Sequence, residues 1–230
     1  MDELERIRER YVERDASAAL SGFWSLRNPV VLHLAQERER AVLRALTRAG
    51  VRLEQARLLD VGCGFGVEFA NYLRWGLRSD ALVGVDLMHH RLVAARAAGG
   101  TALVQASGTD LPFADGRFDL VCQNVVFSSI VDAATRRRVA AEMLRVLRPA
   151  GHVLWYDAAR TRGADAHFRP VSRDEAQALF PGVRWHWQRV TADLGLARRV
   201  HAWFGETALR ALDLALPWRT HLVGLGLKER

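Results

Sequence analysis

The sequence predicts an α/β fold, a three-layer sandwich in which a mostly parallel sheet lies between two layers of helices. Three observations carry this reading. Short apolar runs recur near residues 57–61, 81–86, 102–105, 118–123 and 152–157, and stretches with helical spacing separate them. The first run, Leu58-Leu59-Asp60-Val61, passes into Gly62-Cys63-Gly64-Phe65-Gly66 and then into a helical stretch from Val67, which reads as a strand, a tight turn and a helix start. The second run, Ala81 to Val85, ends in Asp86, at roughly the 20-residue interval that places an acid near a nucleotide-like ligand in such a fold.

The elements follow in order. Residues 2–15 read as a charged helix, and 16–28 as a connector holding Phe23 and Trp24. Asn28-Pro29 is a helix start, with Asn as the cap and Pro in the first turn. That helix runs to about Ala49 and stops at Gly50, with Val30, Leu34, Val42, Leu43 and Leu46 on its apolar face. The helix before the fifth strand closes at a Pro149-Ala150-Gly151 turn. Ser172 caps a helix to Leu179, and Val183–Thr191 reads as a strand with Trp185 and Trp187 on one side and His186 on the other. Residues 195–216 show helical spacing of Leu196, Val200, Trp203, Phe204, Leu209, Leu212 and Leu216. They read as a cover over the sheet edge or cleft, as a dimer contact, or as an interfacial helix on anionic lipid. A last strand occupies 219–227. The expected division is a helical lid over 1–50 and a binding domain over 51–230.

Composition narrows the class. Half the residues are hydrophobic, which excludes global disorder. No apolar stretch approaches the ~18 residues of a membrane span. The acidic start, Met1-Asp2-Glu3-Leu4-Glu5, is unlike a signal peptide. Cys63 and Cys122 read as small buried thiols of a reducing compartment, so a cytoplasmic location is expected. No Cys/His cluster has metal-site spacing, so no metal is expected. The formal charge is +7, almost all of it arginine, which favours acidic partners unless the charge is a solvated face, as Glu37-Arg38-Glu39-Arg40 suggests.

The glycine turn carries the chemistry. Its spacing is G-x-G-x-G rather than the G-x-G-x-x-G of a dinucleotide site, and Asp60 stands just before the first glycine. A carboxylate there repels a phosphate and suits a ligand with a cationic amine. S-adenosylmethionine is such a ligand. Asp86 can accept from both ribose hydroxyls. Asp110, in Ser107-Gly108-Thr109-Asp110-Leu111-Pro112-Phe113, can accept from an adenine amino group, with Leu111 against the ring.

At LLDVGCGFG, VGVDL, GTDLPFADGRFDLV and EMLRVLRPAGHVL, over roughly residues 57–157, the chain resembles the class I S-adenosylmethionine-dependent methyltransferases of the type 11 group. The resemblance implies a Rossmann-like, seven-stranded, mostly parallel sheet with an antiparallel last strand, under an N-terminal helical lid. It implies S-adenosyl-L-methionine as cofactor and S-adenosyl-L-homocysteine as product. The expected cofactor residues are Asp60, Gly62, Cys63, Gly64, Gly66, Asp86, Leu87, Asp110, Leu111 and Gln123. His89 and His90 are expected beside the adenosine or in water.

Methyl transfer from a sulfonium is an in-line displacement that depends on positioning. A hydroxyl acceptor also needs a base. Relatives often carry a histidine near Ser128 or Ser129, and this chain has none there. Asp157 at the end of strand five is the first candidate base, with Tyr156 and then His167 behind it. Tyr11 and Trp24 of the lid, with Phe127 and Ser128 after strand four, are the expected acceptor contacts. The expected acceptor is a small-molecule hydroxyl, on a sugar, glycan or glycosylated natural product. The alternatives are a phenolic, polyketide or quinone-like ring and, third, RNA. Asn124-Val125-Val126-Phe127 lacks the prolines of base-amino methylases, so nucleic acid is not the expected partner. A degenerate partner subunit conflicts with intact Asp60, Gly62, Gly64, Asp86 and Asp110. A monomer or homodimer is expected.

Overall fold

The computed structural model describes residues 2–16, 25–97, 102–161, 166–212 and 218–229. Seven strands form one sheet in the order β3-β2-β1-β4-β5-β7-β6. They are β1 Leu58–Val61, β2 Leu82–Asp86, β3 Ala102–Gln105, β4 Phe118–Asn124, β5 Leu147–Ala158, β6 Val183–Ala192 and β7 Arg219–Lys228. β1 to β5 pair in parallel, and β7 runs antiparallel to both β5 and β6. The helices are α1 Glu3–Ala16, α2 Pro29–Arg48, α3 Phe69–Arg74, α4 His89–Ala97, α5 Ala133–Val146, α6 Arg173–Leu179 and α7 Leu194–Leu212.

Alternation along the strands sorts the core into two layers. Leu58, Leu120, Cys122 and Leu154 face α2, α3 and α4, where they meet Val42, Leu46, Phe69, Tyr72 and Leu92. Their neighbours Leu59, Val121, Val153 and Trp155 face α5 and α6, against Val139, Met143, Val146 and Phe180. Each burial of this kind contributes about 1.5–3 kcal/mol. Helix starts follow their caps: Asn28 accepts from Val30 N–H at 3.0 Å, and Ser172 from Glu175 N–H at 3.1 Å. Lys228 donates to the Leu144 and Leu147 carbonyls, at 2.8 and 2.7 Å, and so caps the C-terminal end of α5.

The Pro149-Ala150-Gly151 turn falls elsewhere than expected. The helix stops at Val146, and β5 starts at once with Leu147 opposite Phe118. The turn is an excursion within that strand: Leu120 next pairs with His152, and Ala150 takes a φ of 57°. Pro149 has no N–H to give the ladder, so the chain loops out and rejoins it. The helical spacing over 195–216 is realised in α7 as two segments rather than one straight helix. α7 packs Ala197 and Leu209 onto Val30 and Leu34 of α2, and it breaks at Gly205, where φ is 72° and ψ is −166°. Leu216 lies outside the described residues. Trp185 and Trp187 share one side of β6 as expected, with rings stacked at 4.5 Å. Among the described residues no helix is long and apolar enough to cross a membrane.

Candidate active site

The strand order reverses between β1 and β4, so the loops leaving their carboxyl ends diverge and open a crevice. A cavity of about 310 Å³ lies there. Its floor is the Asp60–Phe65 stretch of the glycine turn, one side is Asp86-Leu87-Met88, another is Asn124-Val125-Val126, and Leu4, Ile7, Tyr11 and Arg14 of α1 roof it. The size is within the ordinary range for a small-ligand site, ~300–1,000 Å³.

The turn needs its glycines for separate reasons. Gly62 has a φ of 72°, and a Cβ there would come within 2.5 Å of Val126 Cγ2. Gly64 also has a left-handed φ, of 54°, but a Cβ there would meet nothing within 4 Å, so the turn presents bare backbone to open space. Gly66 is buried and is not part of this cavity's wall; a Cβ there would reach Phe69 at 2.8 Å, so it serves the packing of the turn on α3. Val125, at the lip of β4, is a β-branched residue with a φ of 54°. Such strain is held where the surroundings over-determine the backbone, commonly beside a site.

Three carboxylates meet at the floor. Asp86 accepts from Gly64 N–H and from Met88 N–H, both at 2.8 Å, and so joins the turn to the start of α4. Asp60 is 2% exposed, and its Oδ1 has no partner. Burial, then the nearby Glu68 and Asp86, push its carboxyl well above the usual range, and Arg38 opposes them. Glu68 is ion-paired to Arg38 and accepts from Asn71 Nδ2 at 3.0 Å. An orphaned buried carboxylate oxygen among acids fits a ligand that brings a cationic N–H donor.

The expected residues divide. Asp60, Gly62, Cys63, Gly64, Asp86, Leu87 and Tyr11 stand together on the cavity wall. Others lie off it. Asp110 is exposed, and Leu111 is buried with its N–H donating to Glu142 at 2.7 Å. Gln123 is fully buried, its Oε1 accepting from Val126 N–H at 3.0 Å and its Nε2 donating to the Tyr156 carbonyl at 3.3 Å. It braces the lip from behind. Phe127 packs on Trp155 at 4.7 Å, and Ser128 is buried beside it. Trp24 lies outside the described residues.

The three base candidates also stand off the cavity. His167 is exposed next to Arg6. Tyr156 is buried, with its hydroxyl on Thr191 Oγ1 at 2.9 Å and its ring stacked on His221 at 5.1 Å. Asp157 is fully buried and accepts from the N–H groups of Phe127, Ser128 and Ala158, at 2.9, 3.2 and 2.8 Å. Burial outweighs those bonds and pushes its carboxyl up to about 6. A folded value above the unfolded one means that the fold holds this proton. The stabilisation is therefore full below about pH 4 and is lost as pH rises through 6. The melting temperature of the wild type minus that of Asp157→Asn is expected to fall between pH 4 and 7, while the pH–rate profile stays the same in both.

Several wall residues carried no local signal. Arg91, 4% exposed, sits 4.0 Å over the Tyr11 ring and forms a two-pronged ion pair with Asp15 at 2.7 and 2.6 Å. Burial works to raise the Asp15 carboxyl, but Arg91 and His90 together hold it below its ordinary value. His90, expected beside adenosine or in water, donates at 2.9 Å to that same carboxylate. At the other end of α1, Arg6 donates to the Ser129 carbonyl at 2.8 Å and Glu3 accepts from Val131 N–H at 2.6 Å. Cys63 and Cys122 are both buried free thiols, pushed up in pKa chiefly by burial. No group of three or more His, Cys, Asp or Glu residues that could hold a metal occurs among the described residues.

A family model described as "Methyltransferase domain" matches residues 59–155. The demethylmenaquinone methyltransferase of Mycolicibacterium gilvum is 34% identical over 194 residues, which is 82% of this chain and 78% of that protein. The fatty-acid O-methyltransferase of Mycolicibacterium smegmatis is 36% identical over 115 residues, 49% of this chain and 40% of that protein. The chain spans less than half the length of that protein and of a methyltransferase from Encephalitozoon cuniculi. Among solved structures, an S-adenosylmethionine-dependent methyltransferase of Thermotoga maritima aligns with a TM-score of 0.64 at 18% identity, over 97% of this chain and 99% of that one. That likeness is one of fold.

Proposed function

We propose that this chain, which belongs to the class I S-adenosylmethionine-dependent methyltransferases of the type 11 group, methylates a small apolar acceptor of phenol or quinol type rather than a sugar hydroxyl. The observation that carries this is the state of the cavity's polar groups, most of which already have partners. Tyr11 donates to Ser129 Oγ at 2.9 Å, Asn124 to the Tyr72 hydroxyl at 3.1 Å, and Ser107 pairs with Thr109 at 2.8 Å. Arg91 is engaged by Asp15, and Glu68 by Arg38. Leu4, Ile7, Phe65, Val67, Val126 and Ile130 supply apolar wall. A sugar brings several hydroxyls, and each one desolvated without a partner costs about 1–3 kcal/mol. An aromatic ring asks only for apolar walls.

The donor, when bound, supplies an electrophilic methyl on a positively charged sulfur. Asp86 would hold the ribose hydroxyls with the lone pairs left over from Gly64 and Met88, and Asp60 would face the amine. The wall's carboxylates are thus engaged at the donor's end, and the expected bases point elsewhere. This supports an acceptor that ionises readily, as a phenol does near pH 10, over an alcohol, which needs a strong base beside it. The names of the two bacterial relatives, for a fatty acid and for demethylmenaquinone, both denote apolar molecules.

The test is turnover with S-adenosylmethionine and a panel of a reduced naphthoquinol, a simple phenol and a hexose glycoside, read as S-adenosylhomocysteine formed. Quinol or phenol turnover is expected to exceed that of the glycoside at least about a hundredfold; the reverse order sinks the reading. A second expectation concerns protons. The surroundings of Asp60 push its carboxyl well above its ordinary value, and an ammonium beside it favours the carboxylate. Binding of S-adenosylhomocysteine therefore releases a proton, and affinity rises as pH climbs toward the free-state pKa of Asp60. Calorimetry in buffers of differing ionisation enthalpy reads this directly.

A further inference from the structure

We propose that α7 docks this protein on an anionic lipid surface through Trp203 and Phe204. The first half of α7 has an apolar stripe that packs inward: Ala197 is fully buried, and Val200 lies against Val30 and Leu34 of α2. Phe204 continues that stripe at the next helical repeat, yet it is 74% exposed, and Trp203 beside it is 81% exposed. The stripe has run past its support. The helix breaks at the next residue, Gly205, in a left-handed conformation that a residue with a side chain rarely adopts. The apolar pattern then resumes with Leu209, 1% exposed. The aromatic pair therefore stands at an outward corner between two anchored helical segments.

Charge selects the occupant. Arg199 is exposed one turn before Trp203 on the same face of the helix. α7 holds Arg198, Arg199 and Arg210 against a single acid, Glu206, and the whole chain carries a formal +7. A second copy would bring the same sign to the contact, which an association through this corner has to overcome. A bilayer with acidic headgroups supplies the opposite sign, with an interfacial zone that suits an indole and a phenyl ring beneath arginines. The contact proposed is peripheral, made by the exposed corner of α7. This inference does not depend on which acceptor is methylated.

Flotation of the full chain with vesicles of phosphatidylcholine alone, and of phosphatidylcholine with one-third phosphatidylglycerol, tests it. Binding is expected with the anionic vesicles and at least about tenfold more weakly with the neutral ones. Trp203→Ser combined with Phe204→Ser is expected to reduce anionic binding by on the order of tenfold or more, with the melting temperature unchanged because both side chains are exposed. Arg199→Glu is expected to lower anionic binding and leave neutral binding alone. The proposal is overturned by absence of anionic binding, by equal binding to both vesicles, or by a double variant that binds like the wild type. Sedimentation showing a dimer that the double variant dissociates, without vesicle binding, assigns the corner to a second copy and overturns it as well.

Discussion

Replacing Asp86 with Ala is expected to weaken S-adenosylhomocysteine binding at least about a hundredfold in calorimetry. The side chain is 6% exposed and links two parts of the cavity. Its Oδ2 fixes the glycine turn through Gly64 N–H, and its Oδ1 fixes the start of α4 through Met88 N–H. Hydrogen bonds to a charged group are worth about 1.5–3 kcal/mol each. Alanine removes both backbone bonds and the acceptors proposed for ribose, so the loss exceeds that of one contact. Asp86→Asn keeps one acceptor oxygen and turns a donor toward the other N–H; it is expected to fall between wild type and Ala. Equal affinity in wild type and Asp86→Ala would remove Asp86 from the ligand's environment altogether.

The largest stability effect is expected at Arg136. This side chain is fully buried in α5, where burial pulls its pKa below the ordinary value and Glu175 opposes the shift. Its Nε donates to the Ile130 carbonyl at 2.7 Å, one terminal nitrogen to Glu175 Oε1 at 2.7 Å, and the other to the Arg169 carbonyl at 2.5 Å. One guanidinium thus ties the loop after β4 to the segment after β5 and to α6. Arg136→Met removes the cation and leaves the two carbonyls without their donor, while Glu175 keeps its ion pair with Arg169; at about 1–3 kcal/mol for each acceptor left unpaired, the change costs about 3–5 kcal/mol. At about 2–4 °C per kcal/mol for a chain of this size, the melting temperature drops by roughly 6–20 °C in calorimetry. Arg136→Lys keeps the charge but not the planar fork, and it is expected to recover only part of the loss. A variant melting within about 2 °C of wild type would show that the two carbonyls find water instead.

Much of the fold could be read locally, because its signals are local. The glycine turn, the acid after β2, the Asn28-Pro29 start and the alternation of Trp185 and Trp187 each depend on neighbours a few residues apart. Apart from Tyr11 on α1, the site was legible where backbone geometry makes it so: Asp60, Gly62, Gly64 and Asp86 are at the carboxyl ends of strands, and parallel pairing forces those ends together. Strand ends do not say which face a side chain takes. Asp157 and Tyr156 both close β5, but the strand's alternation sends one to the loop amides behind the lip and the other beneath α2. Gln123 turns behind the lip, where it accepts from Val126 N–H, next to the positive-φ Val125, and neither partner can be read from the strand's own residues. Arg91 and Asp15 are 76 positions apart, and nothing in either segment announces the other. The Pro149-Ala150-Gly151 excursion was hidden differently, since a turn inside a strand and a turn before one share the same residues.

Helix α1 is fastened at each end to opposite lips of the crevice, by Glu3 and Arg6 beyond β4 and by Asp15 on α4 beyond β2. It works as a bolt with two catches: charged side chains on backbone groups at one end, and an ion pair at the other. The residence time of a bound molecule is therefore tied to how often one catch slips, and because the charged groups of both catches are largely shielded from water, dissolved salt changes that rate little.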